Sequence, residues 1–281
     1  MTMKITKLQN IIGAEITGVD LRQPLDAKTR QSIYDAVVDN VALVVRDQHF
    51  APEDFLKAAR IFGEPMAQHH SEFALPGQTL VNEISNQHKD KKTGKRINHG
   101  EAWHTDHPNH EIPPKFTMLY GVTVPSRGGD TEVMNTRAGY ALLPAELQAR
   151  IRDMKTANVY QGSATRHRFA YAGGAQAERQ PDPVLQPLVR TNADNDTQAL
   201  YFSVTKCENI IGMTPEATQD LLEDLLDRML AHPELIYRHK WRKGDMLIWD
   251  NRSAMHQGVI DCPPEDIRLI HRIIVEGEKP Y

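Results

Sequence analysis

Cysteine is scarce in this chain. Cys207 and Cys262 are the two in 281 residues. They are too few and too poorly spaced for a disulfide framework or a cysteine-rich zinc site, which fits a reduced, cytoplasmic setting. Long apolar runs are missing as well. No stretch approaches the roughly 20 apolar residues of a membrane span, and the polar start, Met1 to Gln9, lacks the apolar core of a secretory signal. There is no basic excess: the formal net charge is −4, and the short run Lys89 to Arg96 reads as a solvated loop. A nucleic-acid partner is therefore not expected, because nothing supplies a stripe of cations for phosphates. What is present is an ordinary globular composition, 40% apolar and 25% charged. It is long enough for one large domain and too short to require two, so a single domain over residues 1–281 is expected.

Short strand signals dominate the pattern. Ile11 to Val19 carries β-branched residues between Gly13 and Gly18. Val41 to Val45, Thr79 to Ile84, Lys115 to Val124, Thr131 to Met134, Leu188 to Thr191 and Ala199 to Val204 read as strands. So do Leu235 to Trp241, Asp245 to Trp249 and Arg268 to Val275. Helices are fewer. Asp26 can cap one through about Asp39, and Pro52 to Phe62 has a first-turn proline with Gly63 as its stop. Pro144 to Met154 is amphipathic, and Thr214-Pro215-Glu216 opens a helix ending before Pro233. Residues 66–102 and 161–183 are rich in polar residues and glycine and are candidate lids over a site. The fold class expected is mainly β with flanking helices, a double-stranded β-helix or jelly roll of the cupin kind.

Two side chains stand out against this frame. His104 and Asp106 lie two apart in Trp103-His104-Thr105-Asp106. On an extended strand they would point to one face and Thr105 to the other. Two histidines and a carboxylate form the facial ligand set of non-haem Fe(II) oxygenases. His256 follows the polar turn after Trp249 and is a plausible third ligand, although the chain has 13 histidines and His239 and His271 also lie in strand-like runs. Taken alone, the triplet is a weak signal, more often a surface turn than a ligand pair. Arg268 and Arg272 are four apart, hence on one face of a strand, separated by roughly 13 Å at about 3.3 Å per residue. Each offers a planar fork suited to an anion, unless the strand is a solvated edge.

Four ordered motifs carry a family resemblance: Trp103-His104-Thr105-Asp106, Gly128-Gly129-Asp130-Thr131, Trp249-Asp250-Asn251-Arg252 with His256, and Arg268-Leu269-Ile270-His271-Arg272. Together with the opening Gly13-Ala14-Glu15-Ile16-Thr17-Gly18-Val19-Asp20-Leu21, they resemble the taurine dioxygenase and 2,4-dichlorophenoxyacetate dioxygenase family over nearly the whole chain.

The resemblance implies Fe(II) ligands at His104, Asp106 and His256, and 2-oxoglutarate held through its distal carboxylate by Thr131 and Arg268. O₂ is the second cosubstrate. The implied reaction hydroxylates a C–H bond while 2-oxoglutarate becomes succinate and CO₂. Arg272 matches a position that reaches the acid group of anionic substrates. His70, Phe73 and Phe202 are assigned with it to the substrate side. Phe73 lacks the phenol of the taurine enzyme's His-x-x-Tyr pair, and Gly100 replaces its asparagine. A small substrate with one acid group and a more apolar body than taurine is therefore expected. A homo-oligomer, dimer or tetramer, is the family's usual state. A zinc-type hydrolase using the same pocket and a non-catalytic cupin-like binding protein are the alternatives.

Overall fold

The computed structural model describes residues 2–68, 71–91, 93–97, 99–160 and 182–281. In chain order the first strands are β1 (Lys4–Lys7), β2 (Ala14–Thr17), β3 (Ala42–Val45), β4 (Pro65–Met66), β5 (Ala74–Leu75), β6 (Gln78–Ser85), β7 (Phe116–Thr123) and β8 (Thr131–Asn135). They are followed by β9 (Lys155–Asn158), β10 (Val184–Pro187), β11 (Val189–Thr191), β12 (Gln198–Leu200) and β13 (Cys207–Ile210). The last four are β14 (Ile236–His239), β15 (Met246–Asp250), β16 (Ala254–Gly258) and β17 (Leu269–Val275).

Among the described residues, β1-β2-β3-β15-β7-β17-β6-β5 form the larger sheet, with β4 on β17. β2 and β3 run parallel, and the remaining pairs are antiparallel. A second sheet, β14-β8-β16, faces it. The apolar layer between them includes Leu119, Val133, Leu247, Trp249, Ala254 and Ile270. This is a jelly roll, and its two sheets enclose the space where the ligand candidates meet.

The central strands of the larger sheet, such as β3 and β15, are covered on both faces, which explains why they are continuously apolar. In β15, Met246 and Ile248 face the helices while Leu247 and Trp249 face the second sheet, the period-two alternation of a strand. Helices α1 (Ala27–Asn40) and α2 (Pro52–Ala59) supply the outer cover through Ile33, Val37, Phe55 and Ala58. Asp26 caps α1 by accepting from Thr29 N at 2.8 Å, a contact worth about 1 kcal/mol. On the far side of the smaller sheet, α3 (Thr136–Ala141) and α4 (Ala145–Ile151) precede α5 (Pro215–Leu230). Leu221, Leu222, Leu225, Leu226 and Met229 of α5 are buried there, each contributing about 1.5–3 kcal/mol.

Several expectations change in detail. Residues 60–62 leave the α2 helix as a turn, and α4 stops at Ile151. β1, β4, β5, β9, β10, β13 and α3 have no counterpart in the sequence reading; the strands among them are short or largely polar, and their pairing partners define them. The candidate lid 66–102 contains β5 and β6 of the main sheet. Of the second candidate, residues 161–181 lie outside the described residues, and 182–183 lead into β10. Among the described residues no helix is long and apolar enough to cross a membrane.

Candidate active site

β15 ends in a turn that is built from its own polar residues. Asp250 accepts from Arg252 N at 3.0 Å and from Arg252 Nε at 2.8 Å, and Ser253 N donates to the Asp250 carbonyl at 3.0 Å. The chain thereby reverses into β16, where Met255 faces the α5 core and His256 the opposite side. His256 and His104 pair as an isolated antiparallel bridge: His104 N donates to His256 O at 3.1 Å, and His256 N to His104 O at 2.8 Å.

This corrects one expectation. His104 and Asp106 do not lie on a regular strand. The single bridge holds His104, and the chain then bends through Asp106 into His107, whose φ is +48°. The alternation nevertheless holds locally. Thr105 Oγ1 turns away and donates to Asn251 O at 3.0 Å, while His104, Asp106 and His256 converge with one ligand atom each, all within 4.8 Å of one another.

The donor set fits a divalent ion. His104 Nε2 and His256 Nε2 lie 3.9 and 3.8 Å from the Asp106 oxygens, too far for hydrogen bonds and of the order spanned by a shared ion. His104 Nδ1 bonds Ala102 O at 2.7 Å, so a proton on Nδ1 leaves Nε2 with its lone pair. His256 is buried, and its Nδ1 has no partner among the described residues. Burial holds both imidazoles below their ordinary pKa, His256 most strongly, and neutral imidazole is the ligating form. For Asp106, burial alone would favour the acid, but the charge on Arg272, with His256, His107 and His104, holds the carboxyl well below its ordinary range. Trp249 packs against the His256 ring at 4.2 Å between centroids.

A relay behind Asp106 was not foreseen. Thr117 Oγ1 on β7 donates to Asp106 Oδ2 at 2.6 Å and accepts from Asn251 Nδ2 at 2.8 Å. Asn251 Oδ1 in turn accepts from Trp249 Nε1 at 3.0 Å. Nothing in the apolar pattern of β7 singles Thr117 out; Trp249 and Asn251 at least belong to a quoted motif.

Arg268 and Thr131 meet as expected. Arg268 Nε donates to Gly129 O at 2.7 Å, and Arg268 Nη2 lies 3.4 Å from Thr131 Oγ1. Gly129, at φ +65°, makes room: a Cβ there would stand 3.0 Å from Arg268 Cδ. The neighbouring Asp130 is taken by Arg238 at 2.6 Å. Among the described residues no carboxylate pairs with Arg268, whose pKa burial pushes down to about 10. A cation withdrawn from water without an acid partner suits an incoming carboxylate. Trp241 Nε1 donates to Thr131 Oγ1 at 3.1 Å, a further contact that sequence reasoning missed.

Arg272 lies on the same side. Its Nε donates to Gln68 Oε1 at 2.7 Å, Nη1 stands 3.7 Å from Asp106 Oδ1, and Nη2 is 3.3 Å from His107 Nε2. The other residues expected on the substrate side have different neighbours or are undescribed. Phe73 stacks on His88 at 4.4 Å and meets His99 edge-on at 5.1 Å. Phe202 is buried in the core cluster with Trp103, Met255 and α5. His70 lies outside the described residues.

Comparison with known proteins agrees with this geometry. The family described as "Taurine catabolism dioxygenase TauD, TfdA family" matches residues 4–274. The chain belongs to the TauD/TfdA family. Within it, an alkylsulfatase of Acinetobacter baylyi is 30% identical over 98% of this chain and 86% of its own. An alpha-ketoglutarate-dependent sulfate ester dioxygenase of Pseudomonas putida is 30% identical over 96% and 88%. The solved structure of AAD-2 in complex with Mn(II) and N-oxalylglycine superposes with a TM-score of 0.82 at 30% identity, covering 100% of this chain and 99% of that one. As a TauD/TfdA member the protein is a 2-oxoglutarate-dependent dioxygenase, an oxidoreductase that uses Fe(II), 2-oxoglutarate and O₂. Neither the hydrolase nor the binding-protein alternative gains support.

Proposed function

We propose that His104, Asp106 and His256 hold Fe(II), that Thr131 and Arg268 hold the distal carboxylate of 2-oxoglutarate, and that Arg272 receives the acid group of a small anionic organic substrate. The enzyme hydroxylates a C–H bond of that substrate as 2-oxoglutarate and O₂ become succinate and CO₂. The observation that carries this reading is the convergence of the three ligand candidates within 4.8 Å; a buried arginine that has no acid partner among the described residues supports it.

When bound, the iron with its cosubstrate supplies the oxidising chemistry; the chain's residues position and shield. Held by His104, Asp106 and His256, Fe(II) would keep open positions for 2-oxoglutarate and O₂. Asp106 fills the carboxylate position, which favours hydroxylation over halide transfer. Thr117 fixes one Asp106 oxygen. Trp249 walls the His256 ring on the interior side. Arg268 and Thr131 fix the cosubstrate's far end, while Arg272, four residues along the same face, sets where the substrate's acid lies. Sulfate esters and other acid-bearing molecules are favoured, in keeping with the relatives' names. A new hydroxyl beside an ester oxygen would make a hemiacetal-type centre that collapses, cleaving the C–O bond.

The test is an anaerobic titration with Fe(II) and 2-oxoglutarate, followed by a screen of small organic acids for O₂-dependent succinate. Wild-type protein should bind both and release succinate with at least one acid, and His104→Ala should not. Undiminished turnover in His104→Ala would refute the ligand assignment.

A further inference from the structure

Arg268 is held at both ends. Its main chain is fixed by Asn86: Arg268 N donates to Asn86 Oδ1 at 3.0 Å, and Asn86 N donates to Arg268 O at 3.2 Å. Its tip is fixed by one carbonyl, Gly129 O, which accepts from Nε at 2.7 Å. With Nε committed, the Nη nitrogens are what the guanidinium offers an incoming carboxylate, and Nη2 lies 3.4 Å from Thr131 Oγ1. The direction of the Gly129 carbonyl therefore sets the direction of the anchor.

That carbonyl sits in a soft stretch of chain. Gly128 and Gly129 both have left-handed backbones, with φ of +66° and +65°. Glycine enters this region at little steric cost, but two in succession leave many other conformations open. Neither residue has a side chain to hold the peptide, so the hold comes from outside. Asp261 lies three residues beyond β16. Its Oδ1 accepts from Gly129 N at 2.7 Å, and its Oδ2 accepts from Arg238 Nη2 of β14 at 2.8 Å. Arg238 Nε donates in turn to Asp130 Oδ2 at 2.6 Å, and Val259 N donates to Asp130 O at 2.9 Å. The Gly129 carbonyl is thus bracketed, by Asp261 on the amide before it and by Arg238 and Val259 on the residue after it. The approach of Asp261 is close. A Cβ on Gly128 would stand 2.5 Å from Asp261 Oδ1, so glycine there lets the carboxylate in. The Gly129 amide, with Arg238 adding to it against an opposing effect of burial, holds the Asp261 carboxyl below its ordinary range, as expected of an ionised acid that receives both donors.

We propose that Asp261 is a positioning residue for 2-oxoglutarate: with Arg238 it locks the Gly128-Gly129 turn, so that the Gly129 carbonyl orients the Arg268 guanidinium toward Thr131 and the cosubstrate's distal carboxylate. The proposal rests on the assignment of Arg268 and Thr131 made under the proposed function. A purely structural Asp261 would only tie the chain after β16 to the turn, and cosubstrate affinity would not depend on it through Arg268.

The experiment titrates full-length protein by calorimetry, first with Mn(II) and then, at saturating Mn(II), with N-oxalylglycine, which permits binding without turnover. The proteins are wild type, Asp261→Ala, Asp261→Asn, Arg268→Ala and the double variant Asp261→Ala/Arg268→Ala. Asp261→Ala should lower N-oxalylglycine affinity about 3–30-fold, the effect of a charge-assisted bond discounted for the half-exposed position of Asp261. Asparagine keeps an acceptor for Gly129 N and loses the pair with Arg238, so Asp261→Asn should lose less. Mn(II) affinity should stay within about twofold in both. In the Arg268→Ala background, Asp261→Ala should cost less than about twofold more, because the carbonyl has no guanidinium left to orient. Unchanged N-oxalylglycine affinity in Asp261→Ala overturns the proposal. So does a penalty that persists in full without Arg268, or an equal fall in Mn(II) affinity, which would mark a general loosening. Should Asp261→Ala not fold, the same criteria apply to Asp261→Asn, alone and combined with Arg268→Ala. If Mn(II)-loaded wild type does not bind N-oxalylglycine, or Arg268→Ala binds it as tightly as wild type, the cosubstrate assignment fails and this proposal with it. Otherwise each of the preceding results bears on Asp261 alone.

Discussion

His104 and His256, 152 positions apart in the sequence, exchange both of their backbone hydrogen bonds, at 3.1 and 2.8 Å. The two proposed ligands are thus held together by their main chains as well as by their converging side chains. The bridge fastens the loop after residue 100 to β16, and Gly258 N extends the contact by donating to Gly100 O at 2.7 Å.

A metal ion held by these residues would cross-link the loop to the barrel. Binding to the folded state alone raises stability by mass action, about 2.7 kcal/mol at 100 times the dissociation constant. Saturating Mn(II) should therefore raise the melting temperature of wild type, and His256→Ala should abolish that rise. An equal rise in both proteins would place the ion elsewhere.

Thr117 tests how far the positioning of Asp106 matters. Thr117→Val keeps the shape, removes the 2.6 Å bond to Asp106 and leaves Asn251 Nδ2 without its acceptor. Groups that orient metal ligands typically contribute about 10–100-fold in affinity or activity. The variant should lose metal affinity by that order and stability by about 1–3 kcal/mol from the stranded amide. Calorimetric titration with Mn(II) reads the first and denaturant unfolding the second. Intact affinity with lowered stability would make Thr117 a packing residue only.

The sequence was most readable where a local rule acts alone. Asp26 and Thr214 cap helices that begin where expected, and the apolar strands of the larger sheet fall within a residue or two of their signals. The ligand candidates were readable as a set because four motifs occur in order, not because His104-x-Asp106 is distinctive. Thr117 and Trp241 were not readable. Each acts through a neighbour that only tertiary pairing supplies: Thr117 through the β7–β15 register and Trp241 through the approach of β14 to β8. The strand expected at His104 failed for a related reason, since a single bridge to His256 does the holding there.

The proposed cosubstrate pocket separates a charged contact from a neutral one. Arg268→Ala removes a guanidinium that has no acid partner among the described residues and should raise the 2-oxoglutarate KM about 10–100-fold. Trp241→Phe removes the 3.1 Å bond to Thr131, a neutral contact, and should raise it only about 2–10-fold. Succinate release at varied 2-oxoglutarate and fixed substrate measures both. A larger effect from Trp241→Phe than from Arg268→Ala would reverse the roles given to the two residues.

Gly100 joins backbone conformation to ligand placement. Its φ is +70°, and a Cβ built there would sit 3.3 Å from His104 Cε1. Alanine meets both obstacles. The left-handed backbone costs an L-residue about 1–2 kcal/mol, and the new methyl presses on a proposed metal ligand. Asparagine tolerates the left-handed region far better but brings the same Cβ. Gly100→Ala should therefore lower both the melting temperature and Mn(II) affinity, whereas Gly100→Asn should lower chiefly the affinity. If Gly100→Ala loses stability but neither variant loses affinity, the glycine serves the turn alone and the His104 ring tolerates the intrusion. Loss of affinity in both variants, with stability kept in the asparagine one, assigns the small residue at position 100 to the space around His104.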